Sequence, residues 1–121
     1  MILVVDDDAM VLATCRSMLQ SGGHEVLTAS SGADALRLFQ NATIELALLD
    51  VMMPGMNGLE LARRLHDLHP DAKIVLITGF GPRDIAPLVG RHSYSVIWKP
   101  FKTESLLRMV ENALGRTPQA A

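Results

Sequence analysis

The stretch Leu48-Leu49-Asp50-Val51-Met52-Met53-Pro54-Gly55-Met56-Asn57-Gly58 joins two kinds of segment. The run that leads into it, Ile44–Leu49, is short and rich in Leu and Ala, and reads as a strand buried on both faces of a parallel sheet. Asp50 closes that run, and a turn containing Pro54-Gly55 follows. Leu61, Ala62, Leu65 and Leu68 then recur at helical spacing, which predicts a helix over Gly58–Leu68 ending before Pro70. A strand, an acidic residue at its carboxyl end, a turn and a helix form one βα unit.

Working outward, the same alternation runs along the chain. Short apolar runs at Ile2–Val5, Val26–Ala29, Lys73–Ile77 and Val96–Trp98 give four more strands. Ala9–Ser21 carries Leu12, Cys15, Met18 and Leu19 at helical spacing and stops at Gly22-Gly23. A second helix starts at Ser31, with Asp34 three residues on as a capping box, and presents Ala35, Leu38 and Phe39. The last, Thr103–Leu114, presents Leu106, Leu107, Val110 and Leu114. The fourth helical segment, 81–92, contains Pro82, Pro87 and Gly90, so a helix there is expected to be short or distorted. Five strands alternating with helices imply an α/β fold: one doubly wound, five-stranded parallel sheet with right-handed crossovers. Such sheets commonly take the order 2-1-3-4-5, flavodoxin-like, which sets strands 1 and 3 side by side at the switch point where ligands bind. One domain over residues 1–115 and a frayed tail over 116–121 are expected.

Bulk properties narrow the function classes. The chain has 121 residues, enough for one core, and is 49% hydrophobic but only 4% aromatic, so aliphatic side chains and Met must fill that core. A net charge of −2 argues against non-specific attraction to nucleic acid or anionic membrane. The single Cys15 allows no internal disulfide and reads as a small buried thiol. No apolar run approaches the about 20 residues that cross a bilayer, and a cytoplasmic protein is expected.

Four of the five strands deliver a polar group to one edge of the sheet. They are Asp6-Asp7-Asp8 after strand 1, Asp50 after strand 3, Thr78-Gly79 after strand 4 and Lys99-Pro100 after strand 5. With strands 1 and 3 adjacent, Asp6, Asp7 and Asp50 converge, and three close carboxylates call for a neutralising cation. Mg²⁺ (or Mn²⁺) suits an oxygen-only set, with Asp7 and Asp50 as direct ligands, Asp6 holding a metal-bound water, and the Met52 carbonyl adding a neutral ligand. Lys99 supplies a point charge for one phosphoryl oxygen and Thr78 a hydroxyl for another, while Gly79 keeps the approach to Asp50 open. A metal, a Lys and a hydroxyl around one carboxylate are the requirements of phosphoryl transfer, with Asp50 as nucleophile. Asp8 is expected at least to cap the following helix.

Taken together, Ile2–Asp8, Leu48–Gly58, Leu76–Gly79 and Lys99-Pro100-Phe101 resemble the receiver domain of two-component response regulators, in the family's order and across the whole chain. The resemblance implies that Asp50 is phosphorylated by a phosphohistidine on a histidine kinase or histidine phosphotransfer protein. It further implies Mg²⁺ at Asp7, Asp50 and the Met52 carbonyl with Asp6 assisting, phosphoryl contacts from Thr78 and Lys99, and a cis peptide before Pro100. It points to a signalling domain rather than an enzyme. Output would pass to a protein effector through the face of the fourth helical segment, the fifth strand and the last helix. Two features depart from the common pattern. The position three before Lys99, where many receivers carry an aromatic that responds to the Thr, is Val96; and the fourth helical segment is broken by prolines. This is similar to receivers of hybrid histidine kinases or stand-alone receivers. Met52 and Phe80, two residues after Asp50 and Thr78, flank the family's hydrolytic-water route, and their apolar side chains predict slow self-dephosphorylation.

Other readings fit less well. A small Asp-nucleophile phosphohydrolase would need a carboxylate where Met52 stands and a cap for which the chain has no room. A flavin phosphate would face carboxylates instead of a Gly/Ser/Thr-rich loop. An interaction module of the same shape that never turns over phosphate fits less well, because nothing essential for phosphoryl transfer is missing from the chain. No DNA-binding segment is present, so direct nucleic-acid binding is not expected. His24, His66, His69 and His92 fall in turns or at helix ends and are expected to be solvated; Met53 and Met56 are expected to fill the underside of their loop.

Overall fold

The computed structural model describes residues 1–79 and 94–115. The expected helical segment 81–92, with Phe80 and His92, and the tail 116–121 lie outside them. In chain order the elements are β1 (Ile2–Val5), α1 (Ala9–Ser21), β2 (Val26–Ala29), α2 (Gly32–Asn41), β3 (Leu46–Asp50), α3 (Gly58–Leu68), β4 (Lys73–Thr78), β5 (Ser95–Trp98) and α4 (Thr103–Ala113). All strand pairs are parallel, in the order β2-β1-β3-β4-β5.

Burial follows position in the sheet. Every residue of β1 and β3 is buried, while β2 and β5, at the edges, are only partly so. Alternate side chains then build two apolar layers. Leu3, Val5, Ala47, Leu49 and Leu76 pack with α2 and α3, and Ile2, Val4, Leu46, Leu48, Val75 and Ile77 pack with α1 and α4. This doubly covered sheet explains why the central strands read as continuous apolar runs.

Helix starts are set by side chains that accept from otherwise unpaired amides: Asp8 from Met10 N–H at 2.9 Å, Ser31 from Asp34 N–H at 3.2 Å, and Asn57 from Glu60 N–H at 2.9 Å. α1 ends because Gly23 adopts φ 85°, a left-handed conformation that costs glycine little.

Several boundaries and side chains differ from expectation. β3 begins at Leu46 and includes Asp50, because the ladder runs from Ile2↔Leu46 to Asp50↔Ile77; Ile44 is buried ahead of it. Leu68, expected in the core, is exposed at the last turn of α3. His24 is not solvated: its Nε2 lies 3.0 Å from Glu111 Oε1 and its side chain is largely buried. That nitrogen makes no well-aligned hydrogen bond, so the contact is an approach of polar groups without directed bonding. His69 stacks obliquely on Phe39, with ring centroids 5.2 Å apart. Met53 is buried and Met56 half-buried against the α2–α3 layer, where both fill space, while Met52 is exposed. Cys15 is a buried free thiol, pushed up to about 11 by burial, with further upward pressure from Asp6. No helix among the described residues is long and apolar enough to cross a membrane.

Candidate functional site

The carboxyl edge of the central strands carries the site. β1 and β3 are neighbours, so their ends place one carboxylate oxygen from each of Asp6, Asp7 and Asp50 within 4.8 Å of one another. Asp6 is fully buried and oriented by its own turn, with Oδ1 accepting from Asp8 N–H at 2.9 Å. Asp7 is exposed and forms the mouth. Asp50 is 5% exposed, and its Oδ1 accepts from Met52 N–H at 3.4 Å, so the peptide after the strand turns back toward the carboxylate.

Lys99 approaches from the end of β5. Its Nζ lies 3.1 Å from Asp6 Oδ2, where it donates a hydrogen bond, and 3.7 Å from Asp50 Oδ1, where the contact is an ion pair only. Lys99 N–H donates to Thr78 O at 2.8 Å, which ties the ends of β4 and β5 together, and the Lys99–Pro100 peptide is cis. Thr78 is buried, one residue beyond the Asp50↔Ile77 pair. Among the described residues, a Cβ built on Gly79 meets no atom within 4 Å. Val96 pairs with Leu76 and packs against the α2–α3 layer, one step deeper than Thr78.

The electrostatics reflect this crowding. Burial and then repulsion from Asp6 push the Asp50 carboxyl up to about 6; Lys99 and the Met52 amide act the other way without cancelling them. Burial alone would lower Lys99, but its bond to Asp6 and the charge of Asp50 outweigh that and raise it. One ammonium thus faces three acidic side chains. A hard, oxygen-only donor set with surplus negative charge fits a divalent cation, and Asp6, Asp7 and Asp50 are the residues able to hold it.

Gly58 supports the site in a way that the helical reading of Gly58–Leu68 did not reveal. A Cβ there would come within 2.1 Å of the Asp50 carbonyl oxygen and 2.7 Å of its carbon. Gly58 N–H also donates to Val51 O at 3.0 Å, so α3 starts in direct backbone contact with the strand end that carries Asp50. The signal was present as a glycine directly after an N-cap Asn, but only the three-dimensional contact gives it meaning.

The fold and site together define a receiver, and comparison with known proteins places the chain in that family. The model of the response regulator receiver domain matches residues 2–111. This chain belongs to the response regulator receiver family. Among curated relatives it is 35% identical over 118 residues to the response regulator receiver protein CpdR of Brucella abortus, covering 93% of this chain and 95% of that one. It is 38% identical to response regulator MprA of a Mycobacterium strain, covering 96% of this chain but 51% of MprA. It spans 27% of the transcriptional regulatory protein GlrR of Escherichia coli. Among solved structures, the receiver domain of NtrX from Brucella abortus aligns at TM-score 0.88 and 32% identity, covering 97% of this chain and all of that one. A receiver domain protein from Clostridium thermocellum aligns at 0.86 and 31%, covering 94% and 93%.

Proposed function

We propose that Asp50 accepts a phosphoryl group from a phosphohistidine on a histidine kinase or phosphotransfer protein, in a reaction that requires Mg²⁺. The observation that carries this reading is the convergence at one strand end: a buried carboxylate with a lysine 3.7 Å away and two further acidic groups within 4.8 Å. Asp6, Asp7, Asp50 and the Met52 carbonyl would hold the metal, which when bound supplies positive charge against the phosphoryl oxygens.

The chain's own residues do the rest. An Asp50 carboxylate oxygen attacks phosphorus as the bond from phosphorus to the donor imidazole nitrogen breaks, and the bonding pair leaves with that nitrogen. Lys99, now shared between Asp6 and Asp50, would turn to one phosphoryl oxygen, and the Thr78 hydroxyl would donate to another. The positive charge of Lys99 opposes the upward push of burial and Asp6 on Asp50, which leaves the carboxylate ionised and available as a nucleophile above about pH 6. Chemistry of its own would be limited to forming and losing this acyl phosphate. Output would pass to a protein effector by the face that includes β5 and α4, with no direct contact to nucleic acid, and the setting would be the cytoplasm that houses such kinases.

Incubation with a small phosphodonor and Mg²⁺, followed by intact-mass analysis, tests the reading. One phosphoryl group, lost on Asp50→Asn and on chelation of the metal, is the expected result. No mass change under conditions where the protein is folded overturns it and leaves an interaction module of receiver shape.

A further inference from the structure

Two separate structural demands place a chemically labile pair, Asn57-Gly58, beside the site. The start of α3 asks for a side-chain acceptor, and Asn57 Oδ1 supplies it by accepting from Glu60 N–H at 2.9 Å. The next position must lack a Cβ, because one on Gly58 would collide with the Asp50 carbonyl. Asparagine followed by glycine is the dipeptide most prone to lose ammonia, since a residue without a side chain leaves its nitrogen unhindered. The other asparagines, Asn41 and Asn112, both precede alanine.

Deamidation begins when the Gly58 nitrogen gives up its proton to solvent and attacks Asn57 Cγ. A bond forms between the two atoms, the bond from Cγ to the side-chain nitrogen breaks, and that nitrogen takes up a proton and leaves as ammonia. Water then opens the five-membered succinimide at either carbonyl, giving aspartate or isoaspartate at position 57. The folded junction opposes each requirement. Gly58 N–H donates to Val51 O at 3.0 Å, so its proton is engaged. The Asn57 side chain is tied to the first turn of α3 by Glu60 N–H. Ring closure also needs Cβ and the following nitrogen nearly eclipsed about the Cα–C bond, and Asn57, at φ −77° and ψ 167°, keeps them apart. Asn57 is exposed, so water reaches it whenever the junction opens.

The two products differ in kind. Aspartate keeps the normal main chain and caps a helix as asparagine does. Isoaspartate routes the main chain through the former side chain and lengthens it by one methylene, next to the point where Gly58 meets the Asp50 carbonyl. We propose that Asn57 is a deamidation site whose reactivity the β3–α3 junction holds down, and that its isoaspartyl product detaches α3 from the strand end that carries Asp50. The consequence for phosphoryl transfer rests on the phosphoacceptor reading; the consequences for reactivity and stability do not.

The full chain is kept at mildly alkaline pH, either folded or in guanidinium chloride, and peptide mapping by mass spectrometry follows amide-to-acid conversion at each asparagine. Conversion at Asn57 should be the fastest of the three in denaturant and at least about tenfold slower in the folded protein. Equal rates at Asn57 in the two conditions, or faster conversion at Asn41 or Asn112 in denaturant, overturn the inference. The isoaspartyl product is then isolated, refolded and melted beside Asn57→Asp and Asn57→Ser. It should melt well below the unaged protein, whereas both variants, which keep a cap oxygen and normal spacing, should melt close to it. An isoaspartyl product as stable as the unaged protein overturns the detachment of α3, as does an Asn57→Asp variant that falls equally far. With acetyl phosphate and Mg²⁺, the isoaspartyl product should gain a phosphoryl group at least several-fold more slowly than Asn57→Asp, and equal rates overturn the link to Asp50. If the unaged protein fails to incorporate, the phosphoacceptor reading falls, and the conversion rates and melts still decide the rest.

Discussion

At the residue scale, the dominant fact is a carboxylate that is uncomfortable when ionised. Asp50 titrates near 6 because burial and Asp6 oppose its charge more than Lys99 favours it. The folded protein therefore holds this proton more tightly than the unfolded chain, where the ordinary value is about 3.8. Without metal, stability is expected to fall as pH rises from about 4 to about 6 and then level, a cost of roughly 2–3 kcal/mol at about 1.4 kcal/mol per unit. Asp50→Asn should remove most of that slope and raise the urea midpoint at pH 7, measured by equilibrium denaturation. The same proton would compete with a cation held at Asp50. Mg²⁺ affinity, read by titration calorimetry, should strengthen by up to about tenfold per pH unit below pH 6 and flatten above it. Next to this group, Met52 is exposed and apolar. Replacing it with a residue able to orient water, Met52→Asn, should shorten the phosphoryl lifetime several-fold in a label-loss assay. Rapid loss from the unmodified protein would contradict the expectation of slow turnover.

At the element scale, the junction of β3 with α3 is the tightest point of the site. Gly58→Ala pushes a methyl into the Asp50 carbonyl, and backbone at both ends leaves little room to yield. A loss of about 3 kcal/mol, with slower phosphoryl incorporation, is expected from thermal melts and mass analysis. Gly22→Ala is the instructive contrast. Its Cβ presses on the tip of Leu107 at 2.6 Å, a flexible side chain, and touches His24 Cδ2 at 3.4 Å, and its φ of −88° suits alanine. Overpacking and the gain from a stiffer unfolded chain should nearly cancel, giving a change below about 1 kcal/mol.

At the scale of the whole molecule, a cation held by the acidic set would be linked to folding. Asp6 and Asp7 follow β1 while Asp50 ends β3, so the acidic set exists only when those strands are paired. A cation that binds this arrangement stabilises it, by about 2.7 kcal/mol when its concentration is a hundred times its dissociation constant. The melting temperature should rise with Mg²⁺ and stop responding in Asp7→Asn. The sheet is also graded from centre to rim: β5 is an edge strand and includes the half-exposed Trp98, whereas Asp50 sits at a central strand. A signal that leaves the pocket toward β5 travels from the most buried part of the sheet to its rim.

Much of this was legible in the sequence because it is local. Continuous apolar runs marked strands covered on both faces, Gly22-Gly23 and the Asp, Ser and Asn caps marked helix ends, and the polar residues closing each run named Asp6, Asp7, Asp50, Thr78 and Lys99 before any coordinate. What depended on distant partners was not legible. Leu68 fits the helical stripe but falls past the edge of its layer; His24 looks like a turn residue until Glu111, 87 positions later in the chain, packs against it. The sequence by itself determined which groups meet at one edge, since strand direction and order follow from element pattern. Only the tertiary structure decided how they press on one another: the rise of Asp50 and the contact that requires Gly58. Those depend on separations of a few ångströms between segments remote in sequence, and periodicity carries no information about them.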